Sequence, residues 1–384
     1  MKKLLIALSA ITLTLFWFSS LAFAKSVDLK IESPSAILME RDTGKILYNK
    51  ESDKQLPPAS MTKIMTMILI MEQIDKGTLT LNEKVRASER ASSMGGSQIF
   101  LEEGEEMTVE ELLKAVAIAS ANDASVALAE HIAGTEEEFV KRMNDKVNDL
   151  GLKNTHFTNS TGLPAKNHYS SAYDMAMMAK ELLKYEEITN YTSIYEDYLR
   201  ENTDKKFWLV NTNRLVKFYD GVDGLKTGFT NEAKYCLTAT AKKNNLRMIS
   251  VVMGAQNTKE RNRDITKMFD YAFSQFEIDN LYARGEMIEE LKISKGSKRK
   301  VKVITDDVVS ILHEKGEDID NITESVKLKK DLKAPIKKGE PIGTLILKKN
   351  GDVLSETTLV SADDIVKASW WMLFKRTLQQ LTFR

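Results

Sequence analysis

The spacing of apolar residues divides the chain into stretches of different period. Two short strand-like runs, Ala36 to Glu40 and Lys45 to Asn49, flank the turn-forming segment Arg41-Asp42-Thr43-Gly44 and predict a hairpin. From Ser60 to about Gln73 the repeat becomes helical, with Met61, Ile64, Met65, Ile68 and Leu69 at three-and-four spacing. Nearly every face of that segment is apolar, which predicts a helix buried on all sides. Thr108-Val109-Glu110-Glu111 has the form of a capping box, and apolar Leu112, Leu113, Val116, Ala117 and Ala119 follow it. Further helical patterns cover Asp123 to Ala133, Glu136 to Leu150 and Tyr173 to Leu183. The period then drops to two: Gly221 to Thr227, Tyr235 to Lys242 and Leu246 to Gly254 read as strands, the last two joined by the turn Lys243-Asn244-Asn245. Lys259 to Phe276 returns to a helical repeat. This order predicts an α+β fold in which one sheet takes strands from both ends of the region and carries helices on its faces.

Past Ile278 the pattern changes to short alternating runs at 300–303, 326–329, 344–347 and 353–360, which predict a small all-β domain over residues 278–362. Its lysine clusters, 298–302 and 327–338, read as solvated strand faces and turns, with contact to an anionic wall or membrane polymer as the alternative. Residues 363–384 form an amphipathic helix on a helical wheel. Trp370, Leu373, Phe374, Leu378 and Leu381 fall on one side, and Lys375, Arg376, Gln379 and Gln380 fall opposite. The apolar run is shorter than the roughly 20 residues needed to span a bilayer, so the segment predicts a helix lying in a membrane surface, its basic residues toward anionic lipid. At the other end, Lys2 and Lys3, an apolar run from Leu4 to Phe18 and the ending Ala22-Phe23-Ala24 have the form of a secretory signal peptide over residues 1–24. Either cleavage there or retention as an anchor places residues 25–277 and the β domain outside the cytoplasm.

Lysine and arginine together number 55, as do aspartate and glutamate, so no global field favours nucleic acid as a partner. Cys236 is the sole cysteine of the 384 residues, which excludes an intramolecular disulfide and a cysteine-based metal site. It lies in a strand-like run and reads as a buried structural thiol. His131, His156, His168 and His313 show no ligand spacing, so no metal site is expected.

Ser60 and Lys63 stand three residues apart at the start of the buried helical pattern, a spacing that puts amine and hydroxyl on one face. A serine is a weak nucleophile until a base takes its proton, and an ordinary lysine is protonated up to a pKa of about 10.4. Burial and a second cation lower that value. The same S-x-x-K string recurs at Ser297 to Lys300 in a polar stretch without helical pattern, so the string alone says little. Its company is informative: Ser120-Ala121-Asn122 lies in the buried helical region, and Lys226-Thr227-Gly228 ends a strand pattern. Lys226 can supply the second charge. Ser120 can relay a proton, Asn122 can hold a substrate amide, and Lys226 with Thr227 can bind a carboxylate. Gly228 leaves the strand edge open to an extended substrate. The backbone N–H groups of Ser60 and Phe229 form a natural oxyanion hole. Taken singly, each motif reads as well as a helix cap, a helix kink or a strand leading into a turn.

In that order the three motifs resemble those of class A β-lactamases and penicillin-binding proteins. Longer strings carry the likeness further: A-I-L-M-E-R-D-T-G-K-I-L-Y from Ala36, N-S-T-G-L-P from Asn159, H-Y-S-S-A-Y-D-M-A from His168, and D-G-L-K-T-G-F-T-N-E-A-K-Y-C-L-T-A-T-A from Asp223. From about Ser35 to Phe276 the chain resembles the D-alanyl-D-alanine carboxypeptidases, the low-molecular-mass penicillin-binding proteins. It departs from them at Lys234, where members usually carry glycine. The resemblance implies a β-lactamase/DD-peptidase-like sheet, a β-rich second domain and an amphipathic C-terminal helix. It implies a serine DD-peptidase that acts on peptidoglycan stem peptides through an acyl-enzyme on Ser60, is acylated by β-lactams, and needs no cofactor. A β-lactamase on the same fold would need a deacylating glutamate, and the only similar string, Glu186-Glu187-Ile188-Thr189-Asn190, lies far from Ser120 with threonine in place of leucine. A transpeptidase, an endopeptidase and a non-enzymatic wall-binding morphology protein are the other readings.

Overall fold

The computed structural model describes residues 27–329 and 331–382, with backbone alone for 377–382. The signal peptide expected over residues 1–24 lies outside the described residues. β1 (Ser35–Glu40) and β2 (Ile46–Lys50) form the expected hairpin. After the helical middle come β3 (Val222–Thr230), β4 (Lys234–Lys243) and β5 (Leu246–Ala255). The five strands make one antiparallel sheet in the order β2-β1-β5-β4-β3, so strands from both ends of the region meet where β1 pairs with β5. β3 is therefore an edge strand.

Met248, Ile249, Val251, Val252 and Met253 of β5 are all fully buried, as a strand must be when both its faces are covered. The helices that pack on the sheet include α4 (Ala172–Leu182) and α5 (Thr258–Gln275). α1 (Lys63–Asp75) lies against α4 and is buried from Lys63 through Met71, which accounts for its lack of a polar face. α2 (Asn122–Ala133) and α3 (Glu136–Asp149) pack on each other beside it. The capping box at Thr108 is formed: its hydroxyl accepts from the Glu111 N–H, and the Glu111 carboxylate accepts from the Thr108 N–H at 2.8 Å. Cys236 is buried in β4, with the Gly254 N–H donating to its sulfur, and burial pushes its thiol up to about 11. It is a structural thiol.

Beyond α5 the chain is all β up to its last helix. Phe276–Tyr282 pairs with Val309–Glu314, and a five-stranded antiparallel sheet runs in the order 287–292, 300–305, 352–361, 341–349, 322–328. Val301, Val303, Ile342, Leu347 and Leu359 form its core. The predicted alternating runs fall in these strands, while 287–292 and 309–314 were not legible because their alternation is weak. Arg41, in the turn of the first hairpin, ties this domain to the larger one. It is 3% exposed and pairs with Asp42 at 2.9 Å and with Asp307 at 2.5 Å, and it donates to the Leu183 carbonyl. A pair so buried needs both partners, since a lone ion there would forfeit its hydration.

α6 (Trp370–Thr382) is the expected terminal helix. Trp370 and Trp371 are 74% and 56% exposed and stack with Phe374 into one aromatic cluster. Arg376 differs from the expectation that the basic residues face lipid: its guanidinium donates to the carbonyls of Gly296 and Ser297 and fastens the helix to the β domain. The side chains of Leu378, Gln379, Gln380 and Leu381 lie outside the described residues. No helix among the described residues is long and apolar enough to cross a membrane.

Lys234, where glycine was expected, has φ 56° at the start of β4. The left-handed backbone explains why glycine suits the position and why lysine there carries strain. Replacing Lys234→Gly is expected to stabilise the fold by about 0.5–1 kcal/mol, the strain relieved less the greater chain entropy of glycine when unfolded. Chemical denaturation measures this, and an unchanged or lowered midpoint would contradict it.

Candidate active site

Ser60 sits in a single tight turn, Ala59–Thr62, that runs directly into α1. The turn starts from Pro57-Pro58, and Ala59 has φ 48°, an uncommon conformation for a residue with a side chain. Two glycines hold it in place. A Cβ on Gly228 of β3 would stand 2.6 Å from the Pro58 carbonyl oxygen, and one on Gly162 would stand 1.9 Å from the Ala59 carbonyl oxygen. Gly228 is thus required by close packing against the Ser60 turn, a different reason from the open strand edge expected of it.

Lys63 occupies the first turn of α1 and is completely buried. Its Nζ lies 3.4 Å from Ser60 Oγ, 2.6 Å from Asn122 Oδ1 and 2.7 Å from the Thr161 carbonyl oxygen. Burial, with the charge of Lys226 as the second cause, holds its pKa well below that of an ordinary lysine; Asp123 opposes the shift. A neutral amine has only two hydrogens to donate, and the two short contacts take both. The lone pair is then left for the hydroxyl of Ser60. The longer serine contact is the ordinary state of such a pair before substrate binds.

Ser120 follows a wide turn over Ala115–Ala119 and adopts φ 64°. This brings its side chain to the cavity, where its Oγ is buried without a hydrogen-bond partner among the described residues. An unpartnered buried hydroxyl beside a candidate nucleophile is poised for a proton the free protein does not supply. Asn122, the first residue of α2, was expected to hold a substrate amide. Its amide accepts from Lys63 and donates to the Gly95 carbonyl at 2.6 Å, and the residue is 3% exposed. Both ends are engaged inside the protein, so its position suits it to orient the lysine. Asp123 next to it accepts from the Ile99 and Leu101 N–H groups and fixes the loop that brings Ser97 to the cavity.

Lys226 and Thr227 lie on β3, opposite Thr238 and Leu237. Burial first, and the nearby Arg261 cation second, lower the Lys226 pKa to about 7. Thr227 donates its hydroxyl to Thr212 Oγ1 at 2.8 Å. The exposed ring of Phe229 leans on Tyr235, 4.5 Å between centroids. Together with Ser60 and Ser120, Thr227, Gly228, Phe229 and Tyr235 border a cavity of about 670 Å3 that Arg214 and Arg261 also line, while Lys226 is buried and does not line it. Arg261, on α5, is 5% exposed, donates to Asn262 Oδ1, and is lowered to about 10 by burial. No aspartate or glutamate lines this cavity among the described residues. Glu186 and Glu187 are exposed and stand apart from it. Sequence reasoning missed Arg214 and Arg261, isolated arginines without motif spacing. It also gave no role to the segment Asn159 to Gly162, which presents the Thr161 carbonyl to Lys63 while the Asn159 side chain accepts from the Gly162 N–H at 2.7 Å.

The family described as D-alanyl-D-alanine carboxypeptidase matches residues 22–257, and the one described as the C-terminal domain of penicillin-binding protein 5 matches residues 276–367. The chain is 59% identical to D-alanyl-D-alanine carboxypeptidase DacF of Bacillus subtilis over 100% of its own length and 99% of the relative's. Among solved structures it resembles penicillin-binding protein 5 from Haemophilus influenzae, with TM-score 0.68 and 32% identity over 88% of this chain and 98% of that one. It also resembles penicillin-binding protein D2 from Listeria monocytogenes in its ampicillin-bound form, with TM-score 0.57 and 31% identity over 63% of this chain and 97% of that one.

His168 lies beneath the Ser60 turn. The Thr158 N–H donates to its Nδ1, so Nε2 carries the proton and donates to Thr62 Oγ1 at 2.8 Å. Burial lowers its pKa from 6.5 to about 4. The unfolded chain therefore takes up this proton at higher pH than the folded one. The stability that results is complete above pH 6.5 and is lost as pH falls toward 4. Between pH 7 and 4.5 the wild type should lose about 2–3 kcal/mol more than His168→Gln in denaturant titrations; equal losses would show that this imidazole does not set the acid response.

Proposed function

The chain belongs to the D-alanyl-D-alanine carboxypeptidase family, and on that footing we propose that it removes the terminal D-alanine from peptidoglycan stem pentapeptides through a covalent ester on Ser60. The observation that carries this reading is the completely buried Lys63 amine, 3.4 Å from Ser60 Oγ and in contact with Asn122 Oδ1 and the Thr161 carbonyl oxygen, its pKa held well below that of an ordinary lysine. In the proposed reaction Ser60 Oγ attacks the carbonyl between the two terminal D-alanines and its proton passes to Lys63. The carbonyl oxygen becomes an anion held by the N–H groups of Ser60 and Phe229. When the intermediate collapses, the C–N bond breaks, and a proton travels by way of Ser120 to the departing amine. Free D-alanine leaves an acyl-enzyme, and water then hydrolyses it to restore the serine.

The terminal carboxylate needs cationic partners in the cavity, and Arg214 and Arg261 on its lining supply them, with the neutral hydroxyl of Thr227 as a further donor. Penicillins present an amide and a carboxylate in a similar relation and acylate the same serine. The lack of a carboxylate lining the cavity favours a long-lived penicillin adduct over rapid deacylation, and so favours a peptidase over a β-lactamase.

The proposal extends to placement. Residues 1–24 direct export, and α6 lies in the outer surface of the cytoplasmic membrane with Trp370, Trp371 and Phe374 at headgroup depth, which their exposure supports. Residues 25–277 carry the catalysis and 278–362 form the β domain. Carboxypeptidase action is favoured over endopeptidase action by the basic residues that line the cavity, which suit a free chain terminus.

A pentapeptide ending in D-alanyl-D-alanine should lose one alanine by mass spectrometry with the wild type, and none with Ser60→Ala. Lys63→Met should slow acylation by fluorescent penicillin by about 10²- to 10⁴-fold, the usual contribution of a general base. An intact pentapeptide after incubation with wild type, or full labelling of Ser60→Ala, would contradict the proposal.

A further inference from the structure

The lysine clusters of the β domain play no part in the reaction described above, and one of them meets a cavity. This cavity, of about 630 Å3, lies between the two domains and shares no lining residue with the one at Ser60. Asp75 and Lys76 at the end of α1 and Tyr185 after α4 make one wall. The β domain supplies the rest, with Arg284, Asp306, Lys337, Lys338 and Asp364 among its lining. Clefts that hold ligands form preferentially at such junctions.

The walls are braced from within. The Gly285 N–H donates to the Thr305 carbonyl at 2.9 Å, the Gly339 N–H to the Ser361 carbonyl at 2.8 Å, and the Lys338 N–H to Asp364 Oδ1 at 2.9 Å. Arg284 is held by neutral groups: Nε donates to the Asp306 carbonyl at 3.2 Å, Nη1 donates to the Lys184 carbonyl at 2.6 Å, and the guanidinium lies over the Tyr185 ring, 5.8 Å from its centre. Its position is fixed but its charge is not neutralised, and Nη2 has no hydrogen-bond partner among the described residues.

The charges around this space do not balance. The Lys337 and Lys338 ammonium groups are exposed and have no ion-pair partner among the described residues. Lys76 reaches Glu72 at 3.7 Å, and Lys146 already engages that carboxylate at 2.5 Å. Of the three aspartates in the lining, Asp306 pairs with Lys184 at 2.8 Å, Asp364 accepts the Lys338 N–H, and Asp75 is exposed. The four basic side chains are therefore opposed by less negative charge than would cancel them.

A recess between two domains excludes a flat bilayer and admits a flexible chain. Cations spread over both walls suit a chain that repeats its charge along its length. A phosphodiester presents its oxygens on a tetrahedral centre that cations can approach from several directions, whereas a carboxylate presents both of its oxygens in one plane. We infer that this interdomain cavity binds a phosphate group of a phosphodiester-linked anionic polymer, held between Lys76 on one side and Arg284, Lys337 and Lys338 on the other. The site keeps the protein on the polymer and takes no part in the chemistry at Ser60.

The test measures binding of the full chain by titration calorimetry at physiological ionic strength, where charges more than about 8 Å away are screened. The probes are a synthetic poly(glycerol phosphate), a poly-aspartate of equal charge and phosphatidylglycerol vesicles. Wild type should bind the poly(glycerol phosphate) more tightly than the poly-aspartate. The double substitution Lys337→Gln with Lys338→Gln should weaken binding to the former about three- to tenfold, and Lys76→Gln about two- to threefold, the range of partly exposed ion pairs. Lys327→Gln with Lys329→Gln, exposed lysines of the same domain outside the cavity, should leave it unchanged. Vesicle binding and acylation by benzylpenicillin should be the same in wild type and every variant, the latter showing that each is folded. The site is overturned if wild type does not bind the poly(glycerol phosphate), if poly-aspartate binds as tightly, if the control pair loses as much affinity, or if Lys76→Gln has no effect. Loss of vesicle binding in the Lys337 and Lys338 variant would also overturn it, by making a lipid headgroup the ligand. None of these outcomes touches the carboxypeptidase reading, which rests on peptide cleavage and acylation.

Discussion

A lysine amine kept out of water is the constraint on which the rest of this site depends. Burying an ammonium without a counter-ion is costly, and the protein offers Lys63 two neutral oxygens, from Asn122 and Thr161, with Lys226 nearby. Those surroundings favour the uncharged form. The same two oxygens consume its hydrogens and so orient the lone pair. One arrangement therefore bears on both the pKa and the aim of the base. Lys226, itself lowered to about 7, connects the far strand to this balance.

Holding that amine requires three separate parts of the chain to converge within hydrogen-bonding distance. α1 brings Lys63, the first residue of α2 is Asn122, and the loop after α3 brings Thr161. The backbone strain at Ala59 and Ser120 is local to the same place, and it is sustained by packing that leaves the turn no room to relax: Gly162 and Gly228 press on it from two sides, and His168 braces Thr62 below. The sheet contributes its edge strand, open for an extended ligand, and the buried β5 anchors it. The β domain is fastened to this body through Arg41 and Asp307, and α6 is fastened in turn through Arg376. A covalent and electrostatic centre is thus supported by successive layers of packing, hairpin and docked domain.

Much of this was legible in the sequence because helical and strand periods are strong where burial is complete. The all-apolar face of α1 and the alternation of β3 to β5 follow from their positions in the core, and the three short motifs carry their chemistry in residue type. What could not be read was geometry between distant segments. The contact of Asn122 with Lys63 shows only in the folded position, because an amide can bond either a substrate or a neighbouring side chain. Gly228 is explained by a contact with Pro58, 170 positions away along the chain. Arg214 and Arg261 belong to no spacing pattern: Arg261 comes to the cavity from α5, which packs on β4 and β5, and Arg214 from the short helical turn that precedes β3. Lys234 shows the converse: a departure from the expected glycine identified a left-handed position that the local sequence otherwise hides.

The central claim concerns one proton. Titration of the lysine side chains by NMR, with the Lys63 resonance assigned by its loss in Lys63→Arg, measures that proton directly. The account predicts that Lys63 titrates well below 10.5, and that Lys226→Met moves its pKa upward by removing a neighbouring positive charge. A Lys63 resonance that titrates near 10.5, unmoved by Lys226→Met, would contradict it.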